Sequence, residues 1–385
     1  MFSIWWIGFA PAAVMVVFGL LHFPPYKRHP EWVGERRDFA AKTSYRLVWQ
    51  EGLLFAALCF MLMRSTVRMN NGTDGDFGDP AGDYGGGDFA AGHPGDQRGE
   101  REVRRDGMRE YAYAKLNLTL EVGEKRPDGY HELRSVMTSA SLCDVLDVEK
   151  EKGITLTCDR ADLPADGRNL AVKAAETFFA ETGIAGGCRI RLEKHIPSEA
   201  GLGGGSSDAA AVLRALRTLY APDMPTTELE SIGAKVGSDV PYCVRGGTVL
   251  CEGRGEKLTT LPAMPKCWYV IVKPREAFST GKMYGEIDEK NAKSVPTTDL
   301  LIGELERGNL PEIAVHMSNT FLEVIPEESD VFAIRTTLLR YGARNAMMSG
   351  SGSAVFGVFE TEEAARSACE GVQGNGRQVF CAESV

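Results

Sequence analysis

One stretch near the middle of the chain reads Pro197-Ser-Glu-Ala-Gly-Leu-Gly-Gly-Gly-Ser-Ser-Asp-Ala-Ala-Ala211. Four glycines and two serines lie between Gly201 and Ser207, and an apolar pattern of helical period follows over Ala209–Leu219. A glycine loop that opens onto a helix brings backbone N–H groups, the positive end of the helix dipole and two hydroxyls to one point. Such an arrangement binds phosphate, so the sequence predicts a nucleotide-phosphate loop here.

This loop differs from the common nucleotide-binding motifs. No Gly-Lys-Ser/Thr follows the glycines, as it would in a Walker A loop, and the Gly-x-Gly-x-x-Gly spacing after a strand is missing. No Ala-x-Lys strand and no His-Arg-Asp loop follow, as they would in a protein kinase. A flexible turn before an ordinary helix is the plain alternative. A phosphate loop without its own lysine must take positive charge from elsewhere in the chain.

A strand near residue 115 carries a candidate lysine. Strict alternation over residues 112–122 predicts a half-buried strand, with Lys115 and Asn117 on its polar face. A lysine on such a face is usually only solvated. The Asp-Gly turn that follows predicts a tight bend, and a returning strand pair is expected over 133–148. Tyr130 and His131 would then lie at the edge of the same sheet, where an aromatic and an imidazole suit a flat heterocycle.

Asp239 is the candidate proton acceptor. It lies in Gly237-Ser-Asp-Val-Pro241, which predicts a tight turn entering a buried strand. An aspartate there is most often a turn-former or a helix cap. Near a lysine and a phosphate donor it could instead accept a hydroxyl proton during phosphoryl transfer. Spacing alone does not bring Asp239 to Lys115.

Several blocks together resemble the 4-diphosphocytidyl-2-C-methyl-D-erythritol kinases, a family of the GHMP (galactokinase, homoserine kinase, mevalonate kinase and phosphomevalonate kinase) superfamily. The resemblance extends from about Glu110 to the C-terminus and includes the glycine loop. The other blocks are Ala114-Lys-Leu-Asn-Leu118, Arg126-Pro-Asp-Gly-Tyr-His131, Gly237-Ser-Asp-Val-Pro241 and a second glycine loop, Met348-Ser-Gly-Ser-Gly-Ser-Ala354. The glycine loops indicate the superfamily. The Asp-Gly-Tyr-His block and the Gly-Gly-Gly-Ser-Ser-Asp form of the loop narrow it to the family.

The resemblance implies a role for each site residue. Asp239 corresponds to the catalytic aspartate that takes the proton from the substrate's 2-hydroxyl, and Lys115 to the lysine that activates this hydroxyl. ATP is expected on the phosphate loop, at Pro197, Gly201, Leu202, Gly203, Gly204, Gly205, Ser206 and Ser207. The cytidine diphosphate part of the substrate is expected at Asn117, Tyr130, His131, Thr280 and Tyr284, stacked on Tyr130 with Tyr284 as a second face.

The resemblance also implies the cofactor, and one residue departs from the family pattern. ATP would bind with Mg²⁺ bridging its β- and γ-phosphates near Ser206 or Ser207, and no set of protein metal ligands is predicted. Ser198-Glu-Ala200 stands where Met-Gly-Gly or Val-Ala-Ala is commoner in the family. Glu199 therefore must point away from the phosphates or approach the metal ion.

The implied fold is a two-lobed α+β GHMP-kinase fold. Its N-terminal lobe would span 108–265 and its C-terminal lobe 266–385. In the second lobe we expect strands such as Trp268–Val272 and Ala354–Phe359, and a helix over Asp330–Tyr341.

Residues 1–107 have no part in the resemblance. Residues 4–23 carry no charged side chain and are just long enough to cross a bilayer as a helix. We expect 1–69 to be a membrane anchor or a non-native extension, and 70–107 to be a disordered Gly/Asp/Arg linker. Met108 is a possible internal start of translation. Basic residues follow the apolar helix, so an inserted anchor would leave the kinase in the cytoplasm.

Composition limits the remaining possibilities. A net charge of -10 argues against a nucleic-acid partner, because duplex binding needs a basic face. Nine cysteines without a Cys-x-x-Cys pair, and six histidines without metal spacing, predict reduced thiols and no zinc site. A homoserine- or mevalonate-type kinase remains an alternative, as does an inactive, membrane-tethered nucleotide-binding protein. The sequence leaves the oligomeric state open.

Overall fold

The computed structural model describes residues 103–104 and 107–385. The predictions for residues 1–69, and for all of 70–107 except 103, 104 and 107, concern residues outside this part of the chain. Within it, helices and strands are mixed, which confirms the predicted α+β class. No helix of the described part has the length and apolar character needed to cross a membrane. The eight cysteines of this part are free thiols.

The described strands form two sheets. In chain order they are β1 Val103–Arg104, β2 Gly107–Asn117, β3 Thr119–Lys125, β4 His131–Lys150, β5 Ile154–Cys158, β6 Cys188–Glu193, β7 Val249–Gly253, β8 Lys257–Thr260, β9 Trp268–Lys273, β10 Ser318–Asn319, β11 Asn345–Met348, β12 Val355–Phe359 and β13 Gln378–Glu383. The first sheet contains β1–β8 and β10, and the second has the order β11-β12-β9-β13. The chain changes sheet between β8 and β9, although β10 returns to the first sheet beside β3.

Nine α-helices flank the sheets in this part of the chain. They are α1 Leu170–Thr182, α2 Gly204–Tyr220, α3 Thr226–Val236, α4 Val240–Arg245, α5 Thr280–Lys290, α6 Thr298–Arg307, α7 Leu310–Val315, α8 Asp330–Arg340 and α9 Glu362–Gly371. The predicted strands over Trp268–Val272 and Ala354–Phe359 correspond to β9 and β12, and the predicted helix over Asp330–Tyr341 corresponds to α8. The helix after the glycine loop begins at Gly204, inside the glycine run itself.

The strand β4 organises the first sheet. It is a single 20-residue strand rather than the predicted strand pair. Residues 131–137 pair with β3 and β7, residues 137–149 pair with β2, and residues 145–150 also pair with β6. The β2–β4 register shifts between Tyr113 and Ala114. Such a bulge bends a strand locally, so one long strand can pair along its whole length where two strands were expected from the sequence.

Packing on both faces changes the predicted character of β2. Its apolar residues are buried as expected, but Lys115 and Asn117 on the other face are only 4% and 1% exposed. The alternation therefore predicted a half-exposed strand where the structure has a strand covered on both sides. A buried amine and a buried amide need hydrogen-bond partners, so the partners of Lys115 and Asn117 indicate what these side chains do.

Three apolar clusters hold the elements together. The first packs α1, α2, α3 and α4 on the first sheet, and includes Phe178, Leu213 and Leu216. The second joins β2 to β9, β12, α6 and α7 through residues such as Leu116 and Phe356. The third packs α5, α8 and α9 on the second sheet. The second cluster is the layer that fixes both glycine loops beside β2.

Candidate active site

The phosphate loop ends at an open helix N-terminus. Gly203 precedes α2 with φ +71°, and no side chain caps the first turn. The first backbone bond of the helix runs from Ser207 N to Gly203 O at 2.8 Å. The backbone N–H groups before Ser207 have no side-chain acceptor. An anion bound at a helix N-terminus can accept hydrogen bonds from such groups.

The second glycine loop packs directly against the first. Ala354 N donates to Ala200 O at 3.0 Å, and Ser349 Oγ donates to Gly201 O at 2.9 Å. A Cβ atom on Gly201 would lie 2.1 Å from Ser349 O, so the two backbones touch at this point. Asn319 holds the second loop from behind, because its Nδ2 donates to the carbonyls of Met348 and Gly350.

Lys115 lies between the two glycine loops. Its Nζ donates to Asn117 Oδ1 at 2.6 Å, and its backbone N donates to Leu202 O at 2.9 Å. A Cβ on Gly203 would lie 2.8 Å from Lys115 Cγ, and a Cβ on Gly350 would lie 2.9 Å from its Nζ. The strand thus brings an ammonium group to the glycine loop that has no lysine of its own.

Asp239 comes immediately before the short helix α4, and the predicted strand after it is wrong. Pro241 lies in the first turn of α4, a position that proline favours at the start of a helix. The Asp239 side chain is half-buried and does not cap the helix. No described residue forms a hydrogen bond or an ion pair with its carboxylate. A carboxylate without such partners is free to accept a proton from a substrate hydroxyl.

Ser207 links the strand of Lys115 to the helix that follows Asp239. Its Oγ donates to Tyr113 O at 2.7 Å and contacts Cys243 Sγ, on α4, at 3.4 Å. The pKa of Cys243 is raised to about 12, mainly by burial and in part by the Asp239 charge, whereas the Ser207 hydrogen bond and the Lys115 charge oppose this rise. Both site charges therefore act on the same thiol, although Lys115 and Asp239 form no ion pair with each other.

The remaining predicted substrate contacts lie at the start of β4 and on α5. Tyr130 is 57% exposed, and the Arg254 guanidinium lies 5.1 Å from its ring centroid. His131 is buried and stacks on Tyr284 at 5.0 Å with an interplanar angle of 14°. Tyr284, predicted as a stacking surface for the base, thus already has one face against His131. Thr280 Oγ1 lies 2.8 Å from the hydroxyl of Ser351 in the second glycine loop.

The structure shows a buried charge cluster that the sequence analysis missed. Lys194 Nζ donates to Asp144 Oδ2 at 2.5 Å and to Asp208 Oδ2 at 2.7 Å, and all three side chains are 5% exposed or less. Asp144 Oδ1 also accepts from the backbone N of His195 and Ile196. Burial raises the pKa of Asp208, whose Oδ1 is buried without a partner. The cluster connects the start of α2 with β4 through Lys194. In the sequence, only the position of Lys194 shortly before the phosphate loop could have indicated it.

Glu199 has a charged neighbour in the other sheet. It takes the left-handed conformation at φ +52° and is exposed. Lys273, at the end of β9, donates to the carbonyls of Pro274 and Glu276. Burial lowers the pKa of Lys273, and the charges of Glu199 and Glu276 oppose this effect. Glu199 thus acts on a lysine of the second sheet, which was not foreseen from the sequence.

The close contact between the two glycine loops predicts that a methyl group added at Gly201 destabilises the protein. Gly201 has φ +74°, and an alanine there would place Cβ 2.1 Å from a backbone oxygen. We expect Gly201→Ala to lower the free energy of unfolding by more than about 1–3 kcal/mol, the usual cost of backbone strain alone. Thermal unfolding and ATP titration would measure the loss of stability and the weakened binding.

A glycine in an open position gives the matched control. Gly303 lies in α6, and a Cβ there meets nothing within 4 Å. Gly303→Ala should raise the free energy of unfolding by about 0.5–1 kcal/mol, because alanine is the better helix former. Equal stability of the Gly201→Ala and Gly303→Ala proteins would contradict the close contact of the two loops.

Family models match both halves of the described region. Residues 169–247 match the GHMP kinases N terminal domain, and residues 301–378 match the GHMP kinases C terminal model. These ranges contain the first glycine loop with Asp239, and the second glycine loop, respectively.

Relatives of this protein align with the same part of the chain. A 4-diphosphocytidyl-2-C-methyl-D-erythritol kinase of Clostridium kluyveri is 40% identical over 276 residues, which are 71% of this chain and 99% of that protein. One from Caldicellulosiruptor saccharolyticus is 41% identical over 262 residues, covering 67% and 90%. A crystal structure of 4-(cytidine 5'-diphospho)-2C-methyl-D-erythritol kinase superposes with a TM-score of 0.62 at 34% identity, covering 72% and 99%. Homoserine kinase from Cytophaga hutchinsonii shares the fold, with a TM-score of 0.59 at 19% identity, covering 73% and 96%.

Proposed function

The chain belongs to the 4-diphosphocytidyl-2-C-methyl-D-erythritol kinase family of the GHMP superfamily, and we propose how its residues carry out the reaction. The protein is a phosphotransferase with an alcohol acceptor. It transfers the γ-phosphoryl group of ATP to the 2-hydroxyl of 4-diphosphocytidyl-2-C-methyl-D-erythritol, a step of non-mevalonate isoprenoid precursor synthesis. ATP is available in the cytoplasm, and we place the reaction there.

Asp239 is the general base of this proposal. As the bond from the alcohol oxygen to phosphorus forms and the bond from phosphorus to ADP breaks, the hydroxyl proton passes to the carboxylate. The proposal is supported by a half-buried carboxylate without a hydrogen-bond or ion-pair partner among the described residues. Lys115 stabilises the negative charge on the alkoxide and the transferred group, since its ammonium lies between both glycine loops.

The phosphates of ATP are held at the start of α2. The uncapped N–H groups after Gly203 and the helix dipole favour anionic oxygens. Of the two serines, Ser207 already donates its hydroxyl to Tyr113 O. The Ser206 hydroxyl has no partner among the described residues and fits as the protein ligand of Mg²⁺, which usually keeps waters and phosphate oxygens as its other ligands. When bound, Mg²⁺ neutralises charge on the β- and γ-phosphates.

The cytidine diphosphate part lies near the turn between β3 and β4. Tyr130 offers an exposed ring at this turn. The amide of Asn117 is buried between Lys115 Nζ and Ser135 Oγ, so in this structure it holds the lysine in place. Thr280 and the hydroxyl of Ser351 lie at the second glycine loop, where they suit a diphosphate. An aromatic face beside polar groups is the chemistry that a flat base with a charged tail requires.

The observation that supports this function most directly is the position of Lys115 Nζ between the two glycine loops. The test is to follow ADP release by the full chain with ATP, Mg²⁺ and 4-diphosphocytidyl-2-C-methyl-D-erythritol. Homoserine and mevalonate, the acceptors of the alternative kinases, serve as comparison substrates. Turnover of either one in preference to the cytidyl compound would reject the proposed substrate, and no turnover of any of them would reject the kinase activity.

A further inference from the structure

Asp288, the partner of His131 in the proposed cytidyl site, has been given no role so far. The imidazole is 5% exposed, and its face stacks on Tyr284 of α5. Its Nε2 lies 2.7 Å from Oδ1 of Asp288, one turn further along the same helix. The other oxygen of Asp288 accepts from Lys125 Nζ at 2.7 Å. The helix α5, which packs on the second sheet, thus fixes both the plane and the rotation of the His131 ring, which belongs to β4 of the first sheet.

The charge state of Asp288 determines which ring nitrogen carries the proton. Hydrogen bonds from Lys125, and then from His131, lower the pKa of Asp288, so this group is an ionised carboxylate and only accepts. Nε2 must therefore carry a hydrogen. In a neutral imidazole Nδ1 then has a free lone pair and is an acceptor.

Nδ1 has no protein partner. No described residue forms a hydrogen bond with it. The neighbouring residue, Tyr130, presents its ring to solvent at the same turn. A base stacked on that ring comes within a short distance of His131.

His131 is already assigned to the cytidyl group by the family resemblance. We propose that Asp288 is a positioning residue that fixes this histidine as the Nε2–H tautomer, which leaves Nδ1 to accept from the amino group of a cytosine and to repel the carbonyl of a uracil. This inference rests on the proposed function, which brings a cytidyl group to this turn. Cytosine presents an amino donor where uracil presents a carbonyl acceptor. A lone pair on Nδ1 attracts the first and repels the second.

Three variants separate the parts of the proposal. Asp288→Ala removes the acceptor of Nε2–H. Asp288→Asn keeps an oxygen that can accept from Nε2–H, and Lys125→Met removes only the exposed ion pair, which contributes little in general. Asp288 touches neither ATP loop in the structure, so a change in ATP binding is not expected.

The test measures binding of CDP and UDP to the full chain by calorimetry. The wild-type protein should bind CDP more tightly than UDP, and Asp288→Ala should reduce this preference about tenfold, the usual order for loss of one charged hydrogen bond. Asp288→Asn and Lys125→Met should keep most of it. Unchanged preference in Asp288→Ala, no preference in the wild-type protein, or no binding of CDP would each overturn the inference.

A spectroscopic measurement excludes a merely structural role. Long-range ¹H–¹⁵N spectra at pH 8, assigned with His131→Asn, should show the Nε2–H tautomer in the wild-type protein and a mixed population in Asp288→Ala. A protonated Nδ1 in the wild-type protein would overturn the inference. If the base preference and the tautomer are as expected but the cytidyl alcohol is not phosphorylated, the proposed function fails alone. If it is phosphorylated and the Asp288→Ala protein keeps the wild-type preference, the inference fails alone.

Discussion

Asp239→Asn should lower kcat by about 10²–10⁴, the range typical for loss of a general base. The amide has the shape of the carboxylate but cannot take the hydroxyl proton. Asp239 has no hydrogen-bond or ion-pair partner among the described residues and does not cap α4. The free energy of unfolding should therefore change by less than about 0.5 kcal/mol, as for an ordinary surface site. Steady-state kinetics, thermal unfolding and ATP titration would measure the three quantities.

A matched aspartate controls for the loss of charge. Asp223 is exposed in the turn between α2 and α3, and Asp223→Asn should leave kcat and ATP binding unchanged. A value of kcat for Asp239→Asn close to that of Asp223→Asn would remove Asp239 from the mechanism. A parallel loss of ATP affinity would instead mean that the carboxylate organises the phosphate site.

Lys115→Met should lower kcat/KM by about 10²–10³, the cost of removing one preorganised donor to the developing charge. Methionine fills the same volume along the stem beside Gly203 but brings no positive charge to the phosphates. The substitution also removes the short donor of Asn117 Oδ1 and leaves only Ser349 Oγ at 3.5 Å, which should cost about 1–3 kcal/mol of unfolding free energy. Kinetics with both substrates, together with thermal unfolding, would separate the two losses.

Lys115→Arg tests geometry separately from charge. The lysine fits closely, because Cβ atoms on Gly203 and Gly350 would lie within 3 Å of its side chain. The larger planar guanidinium does not fit that gap, so the arginine protein should be nearly as impaired as the methionine protein. Lys235→Met, which removes an exposed lysine paired with Glu181, should be active. Full activity of Lys115→Arg would show that only the charge matters.

Much of the fold and the family followed from local sequence patterns. Glycines at a helix start, alternation in β2 and apolar periods in β9, β12 and α8 are properties of neighbouring residues, which backbone geometry translates into structure. The errors arose where distant parts of the chain intervene. The long β4 was predicted as a strand pair, because its pairing with four other strands cannot be derived from the pattern of neighbouring residues. Lys115 was predicted on a half-exposed face, because the same pattern does not show that the second sheet packs over it.

Some residues of the candidate site were also predicted from local motifs, whereas others were found only in the folded structure. The phosphate loop, Lys115 and Asp239 were named from motifs, but the contacts between the strand of Lys115 and the helix after Asp239 exist only in the folded chain. Ser207 contacts both elements, and Ser139, paired with Lys115, lies 3.1 Å from the hydroxyl of Tyr242. The Lys194–Asp144–Asp208 cluster and the Asp288–His131 pair were missed, because each combines single charged residues from separate elements. Sequence alone fixes which chemical groups are available and the local backbone that carries them. Only tertiary packing determines which groups meet and which are dehydrated, since both depend on contacts between residues far apart in the chain.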